Sequence, residues 1–161
     1  MNRQPRILVV DDEKIVRESL CHWFTEEGYA VETADNAQSA LQKLQDDSWD
    51  VLLVDIKMPG MDGLQLQEKV KALDPDLPII IMTAYASVDT AVRALKEGAC
   101  DYIVKPFDPE DLEHVVRGAA ERRELLRENV RLKRHIEAIS EQGMEEIIGV
   151  SPQIQQVKEL I

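Results

Sequence analysis

Ile7-Leu8-Val9-Val10-Asp11-Asp12-Glu13 and Val51-Leu52-Leu53-Val54-Asp55 are the two stretches on which the fold turns. Each is a short, β-branched, wholly apolar run that stops abruptly in acid. Such a run reads as a strand buried on both faces, with its carboxylates emerging at the carboxyl end. In an open parallel α/β sheet, ligands bind outside the carboxyl ends of the strands, where strand order reverses. Three carboxylates gathered there repel one another unless a cation or a phosphoryl group belongs to the site. Mg2+ suits the donors, since it takes one or two carboxylates and keeps several waters.

Outward from these runs, strand-like and helix-like segments alternate. Ile15, Val16, Leu20, Trp23 and Phe24 mark a first helix, stopped by Gly28. Tyr29 to Ala34 is a strand with polar interruptions, hence an edge. Asn36 is placed to cap a helix carrying Ala37, Ala40, Leu41 and Leu44. After the Val51 run comes the loop Met58-Pro59-Gly60-Met61-Asp62-Gly63, in which Asp62-Gly63 reads as turn chemistry. Leu64, Leu66, Val70 and Leu73 mark a third helix, Ile79 to Met82 a fourth strand, and Val88, Ala91, Val92 and Leu95 a fourth helix closed by Gly98. Tyr102 to Val104 is the fifth strand, ending in Lys105-Pro106, and Asp108-Pro109 opens a long last helix. Five β/α units with short connections predict a doubly wound parallel sheet with helices on both faces. The flavodoxin-like order 2-1-3-4-5 sets strands one and three side by side, which brings Asp11, Asp12 and Asp55 together.

Composition narrows the class. The 161 residues carry a net charge of −12, with 31 acidic against 19 basic side chains, a balance that argues against nucleic-acid binding by phosphate neutralisation. Cys21 and Cys100 lack CxxC spacing and read as small core residues of a reduced chain. No apolar run approaches the ~18 residues of a membrane span, and no signal peptide is evident. A soluble, cytoplasmic protein is expected.

Two further strand ends complete the chemistry. Thr83 offers a hydroxyl and Lys105 an ammonium to the same edge. Three acids, one hydroxyl and one lysine around a divalent cation make a site for an aspartyl phosphate, with Asp55 attacking a phosphoryl group in line. Mg2+ would be held by Asp12 and Asp55, by Asp11 through water, and by the backbone carbonyl of Lys57. Glu13 reads as the start of a helix rather than a ligand. His22, His114 and His135 share no ligand spacing.

Asp11-Asp12, Asp55, the Met58–Gly63 loop, Thr83-Ala84 and Lys105-Pro106-Phe107 together resemble the receiver domain of bacterial two-component response regulators, over residues 5–120. The resemblance implies a partner histidine kinase as phosphoryl donor, a cis Lys105-Pro106 bond, and a switch in which Tyr102 changes rotamer as Thr83 moves toward the phosphoryl group.

The last helix is twice as long as a receiver requires. Beyond residue 120, Leu125, Asn129, Leu132, Ile136 and Ile139 step by four and three, the spacing of a heptad seam with Asn129 at an a position. A homodimer through a coiled-coil linker (121–143) is expected, with charges that include Arg122, Arg123, Arg127 and Arg131 along its rim; the bland alternative is a solvated linker that never pairs. Glu145 to Ile154 then resembles the opening of the AAA+ ATPase domain of sigma-54-dependent transcriptional activators, so 144–161 reads as the start of that domain, with no phosphate-binding loop yet reached. The expected function is a phosphorylation switch, not itself an enzyme, that governs such an ATPase; repression and activation both remain open. Two rivals are a phosphatase working through its own aspartyl phosphate and a structural dimerisation module. Against the first, the position two residues after Asp55, where such phosphatases usually hold a second acid, is Lys57.

Overall fold

The computed structural model describes residues 4–84 and 87–143, with side-chain surroundings through Ile136. Strands and helices alternate as β1 (Arg6–Val10), α1 (Lys14–Glu26), β2 (Ala30–Ala34), α2 (Ala37–Asp46), β3 (Val51–Asp55), α3 (Gly63–Leu73), β4 (Ile79–Thr83), α4 (Val88–Lys96), β5 (Asp101–Val104) and α5 (Pro109–Gly143). The five strands form one parallel sheet in the order β2-β1-β3-β4-β5, the flavodoxin-like arrangement expected from the sequence.

Period-two alternation splits each buried strand between two hydrophobic layers. Leu8, Val10, Leu52, Val54, Ile79 and Ile81 face one layer, filled by Ala37, Ala40, Leu66, Val70 and Ala94 from α2, α3 and α4. Ile7, Val9, Val51, Leu53, Ile80 and Met82 face the other, filled by Leu20 and Phe24 of α1 and by Leu112, Val116 and Ala119 of α5. β3 and β4 are buried at every position, as strands covered on both faces must be.

Local signals set most helix ends. The Asn36 side chain accepts from the backbone N–H of Ser39 at 2.7 Å, capping α2. Gly28 (φ 96°) and Gly98 (φ 109°) close α1 and α4 in the left-handed region, where glycine carries no Cβ penalty. Asp62 does more than turn the chain: it caps α3 by a reciprocal pair in which Gln65 N–H donates to Asp62 Oδ1 (2.8 Å) and Asp62 N–H donates to Gln65 Oε1 (3.0 Å).

Several expected core positions face outward. Ile15 is 77% exposed, and Leu73 is exposed at the end of α3. In α4 the helix is where the pattern placed it, but Val88, Val92 and Leu95 point to solvent and only Ala94 is buried. Cys21 and Cys100 are half-buried free thiols, and Cys100 packs against the layer that holds α1 and α5.

Arg123 was expected on a charged rim and is instead buried, at 6% exposure. Its Nη1 donates to Asp74 Oδ1 at 3.1 Å, Nη2 also pairs with the Asp74 carboxylate, and Nη2 donates to the Trp49 carbonyl at 3.3 Å. This fork fastens α5 to the end of α3 and to the turn before β3. We expect Arg123→Ala to cost roughly 2 kcal/mol in urea denaturation, since it removes charge-assisted bonds and a packed stem. Arg123→Met, which keeps the stem, should lose less. A loss below about 0.5 kcal/mol for the alanine variant would class the pair with ordinary surface ion pairs.

The compact unit that holds the sheet closes at Glu124, and a second unit begins at Leu125. Within that second unit, Leu125 (63%), Leu132 (57%) and Asn129 are exposed, and Ile136 is half-buried. The Ile139 side chain and the segment 144–161 lie outside the described residues. Among the described residues, no helix is long and apolar enough to cross a membrane.

Candidate functional site

Strand register builds the site. Val10 lies opposite Val54, Asp55 opposite Met82, and Thr83 opposite Val104. Asp11, one residue past Val10, therefore comes level with Asp55, while Thr83 and Lys105 follow one step beyond their paired neighbours. Asp55 and Thr83 are thus the last residues of their strands, and Asp11 and Lys105 are the first residues beyond theirs.

Carboxylate oxygens of Asp11, Asp12, Glu13 and Asp55 all lie within 4.8 Å of one another. Asp11 is fully buried and Asp55 nearly so, whereas Asp12 and Glu13 are exposed. Glu13 thus joins the group, although its position at the start of α1 argued for a purely structural place; its side chain caps nothing in that helix. The legible signal for Glu13 was simply a third consecutive acid at a strand end.

Lys105 supplies the counter-charge. Its Nζ donates to Asp11 Oδ2 at 2.6 Å and stands 3.5 Å from Asp55 Oδ2 and 3.8 Å from Glu13 Oε1. Burial lowers the Lys105 ammonium, but the bond to Asp11 and the charges of Asp11, Asp55 and Glu13 outweigh it and raise the pKa. The Asp55 carboxyl is pushed up to about 6, first by burial and then by the charge of Asp11, with Lys105 opposing and Asp12 adding to the rise. Lys105 thus offsets the acids only in part, since the Asp55 carboxyl is still raised beside it. Oxygen-only donors, crowded and short of positive charge, can hold a hard divalent cation.

The remaining expected positions are placed as follows. Thr83 is buried at the carboxyl end of β4, where its carbonyl accepts from Lys105 N–H at 2.7 Å. Tyr102 is half-buried on β5 against the layer that holds α4. The Lys57 side chain is exposed two residues beyond Asp55. The Lys105-Pro106 peptide is cis.

Residues 7–117 match the family model described as the response regulator receiver domain. The chain belongs to that family. The chain is 37% identical over its whole length to the C4-dicarboxylate transport transcriptional regulatory protein DctD of Rhizobium meliloti, of which it covers 35%. It is 39% identical, over 96% of its length, to the DNA-binding transcriptional regulator NtrC of Proteus hauseri, covering 32% of that protein. These are regulators of the NtrC-like kind that the sequence resembles, and the chain spans about a third of their length. Among solved structures, a CheY-like receiver domain protein from Methanospirillum hungatei JF-1 superposes with a TM-score of 0.73 at 37% identity, covering 76% of this chain and 98% of the other. NtrX from Brucella abortus superposes with a TM-score of 0.75 at 36% identity, covering 81% of this chain and 30% of that one.

Proposed function

We propose that Asp55 accepts a phosphoryl group from the phosphohistidine of a sensor histidine kinase. The observation that carries this reading is the convergence of Asp11, Asp12 and Asp55 oxygens within 4.8 Å, beside the Lys105 ammonium at the carboxyl edge of the sheet. Asp55 is nearly buried but faces the open edge, and above pH 7 it is mostly ionised despite its raised pKa of about 6. In the transfer, an Asp55 Oδ attacks phosphorus in line. The O–P bond forms as the P–N bond to the donor imidazole breaks, and the nitrogen keeps the bonding pair and takes up a proton.

Bound Mg2+, held by Asp12, Asp55, the Lys57 carbonyl and, through water, Asp11, would neutralise charge on the phosphoryl oxygens. Lys105 pairs with one of those oxygens, and the Thr83 hydroxyl donates to another. Thr83 and Tyr102 then form the switch: phosphorylation favours one of two pre-existing arrangements of the α4–β5–α5 face by differential contacts. The protein is read as a phosphoacceptor that assists its own modification and not as an enzyme that turns over a substrate.

The linker reading completes the proposal. Leu125, Asn129, Leu132, Ile136 and Ile139 form the seam of a cytoplasmic homodimer, through which the phosphorylation state reaches the AAA+ ATPase of a sigma-54-dependent activator. The domain limits that go with it are 1–120 for the receiver, 121–143 for the linker and 144–161 for the start of the ATPase domain. The exposure of Leu125 and Leu132 supports such a seam. Two relatives are named as transcriptional regulators, and both are about three times as long as the matched segment, which supports the larger parent protein.

The test is intact mass after incubation with Mg2+ and acetyl phosphate, with Asp55→Asn alongside. One added phosphoryl group is expected, absent in EDTA and in the variant. No addition under any condition would leave a dimerising scaffold as the better account, and release of phosphate from an added phosphorylated substrate would favour a phosphatase.

A further inference from the structure

None of the roles above uses the Arg17 side chain, near the start of α1, yet it reaches back over the acidic loop to the Asp11 carbonyl. Its Nη1 donates to the backbone carbonyl of Asp11 at 2.8 Å, while its backbone N–H makes the ordinary first-turn helix bond to the Glu13 carbonyl at 3.1 Å, which any residue but proline would make. The guanidinium therefore ties the chain just before Asp12 to the first turn of α1, which begins just after it.

The other acids have anchors of their own. Asp11 is buried, with Oδ1 accepting from Glu13 N–H at 2.9 Å and Oδ2 from Lys105 at 2.6 Å. Asp55 is fixed by the last register pair of β3 and by burial. Asp12 is exposed and lies beyond the last paired residue of β1, so neither burial nor strand pairing sets its position. Glu13, in the N-cap position of α1, makes no side-chain cap bond that would fix the entry into the helix.

We propose that Arg17 is a positioning residue: by holding the Asp11 carbonyl against the first turn of α1 it keeps the Asp12 carboxylate where a divalent cation needs it. The inference rests on the reading of the acidic group as a Mg2+ site. Its physical content lies in the sign. A guanidinium near a cation site weakens cation binding by Coulomb repulsion, so charge alone predicts that removing it tightens Mg2+. Positioning predicts the reverse, because groups that orient metal ligands typically govern affinity by about tenfold or more.

The experiment is calorimetric titration of MgCl2 into the wild-type chain, Arg17→Met and Arg17→Lys, with thermal unfolding of each in EDTA. We expect Mg2+ to bind Arg17→Met at least about tenfold more weakly than wild type. Arg17→Lys, which can donate only from a single ammonium, should fall between. A merely structural role would lower the unfolding temperature in EDTA and leave the Mg2+ dissociation constant unchanged; that result, or tighter binding, overturns the proposal. If Arg17→Met does not unfold cooperatively, Arg17→Lys decides: weaker binding than wild type supports the clamp, and equal or tighter binding overturns it. Absence of Mg2+ binding by the wild type would overturn the metal reading and the clamp together, whereas equal affinities in wild type and variants would overturn the clamp alone.

Discussion

Gly63→Ala is expected to cost the receiver about 3 kcal/mol of stability and most of its Mg2+-dependent phosphorylation. A Cβ built on Gly63 would lie 2.3 Å from the Asp55 carbonyl oxygen, 2.9 Å from the Asp55 carbonyl carbon and 2.9 Å from Ile56 Cα. All three are backbone atoms, so no flexible side chain can swing aside. The start of α3 must back away from the end of β3, or Asp55 itself must move. The first option breaks the bond from Gly63 N–H to the Ile56 carbonyl (2.8 Å), and the second shifts the phosphoacceptor relative to Asp11. Gly118 is the control. It lies within α5 with nothing within 4 Å of its Cβ position, and alanine there should gain up to about 1 kcal/mol from helix propensity. Urea denaturation of both variants, with phosphoryl incorporation followed by intact mass, checks the pair. Equal small effects at the two positions would show that α3 yields without strain and that Asp55 does not depend on this contact.

The same glycine marks how far the sequence could be read. Asp62-Gly63 announces a change of direction, but the need for a bare Cα arises from β3 passing beneath, which no local pattern records. The site itself was legible because each of its groups ends a strand whose interior is unmistakably apolar; Ile7 to Val10 and Val51 to Val54 fix where Asp11 and Asp55 emerge. Strand order then supplied the rest, since β1 beside β3 puts the acids together. What failed was the assignment of helix faces. The α4 pattern located a helix correctly, yet Ala94 is the side chain small enough to lie against the core, and Val88, Val92 and Leu95 are left outside. Hydrophobic period identifies a face but not whether the protein's own sheet covers it. Arg123 failed for a different reason: its partner Asp74 is 49 residues away, and a charge among charges reads as surface until the fold brings that partner up.

Asp55→Asn should stabilise the metal-free receiver at neutral pH, by about 2 kcal/mol at pH 7.5, and leave it unchanged near pH 4. The sign follows from the direction of the shift. The folded-state pKa of Asp55 is raised to about 6, above the value of about 3.9 for a solvated aspartate, so between these values the folded state binds more protons than the unfolded one. Stability therefore falls as pH rises through that window, and the whole cost of ionising Asp55 beside Asp11 is present above it. Two pKa units correspond to just under about 3 kcal/mol, taken here as a ceiling because the pocket opens to solvent on one side. Asparagine has nearly the same shape and cannot ionise, so the variant should follow the wild type below pH 4 and diverge upward from it as pH increases. Adding Mg2+ at pH 7.5 should close the gap, since a ligand bound only by the folded state stabilises the wild type by RT ln(1 + [L]/Kd) and the variant has lost one carboxylate from the site. Urea titrations in EDTA from pH 4 to 7.5, repeated with Mg2+ at the upper end, provide the measurement. Parallel wild-type and variant curves across the whole range would mean that ionised Asp55 carries no penalty, and that Lys105 alone already balances the acids around it.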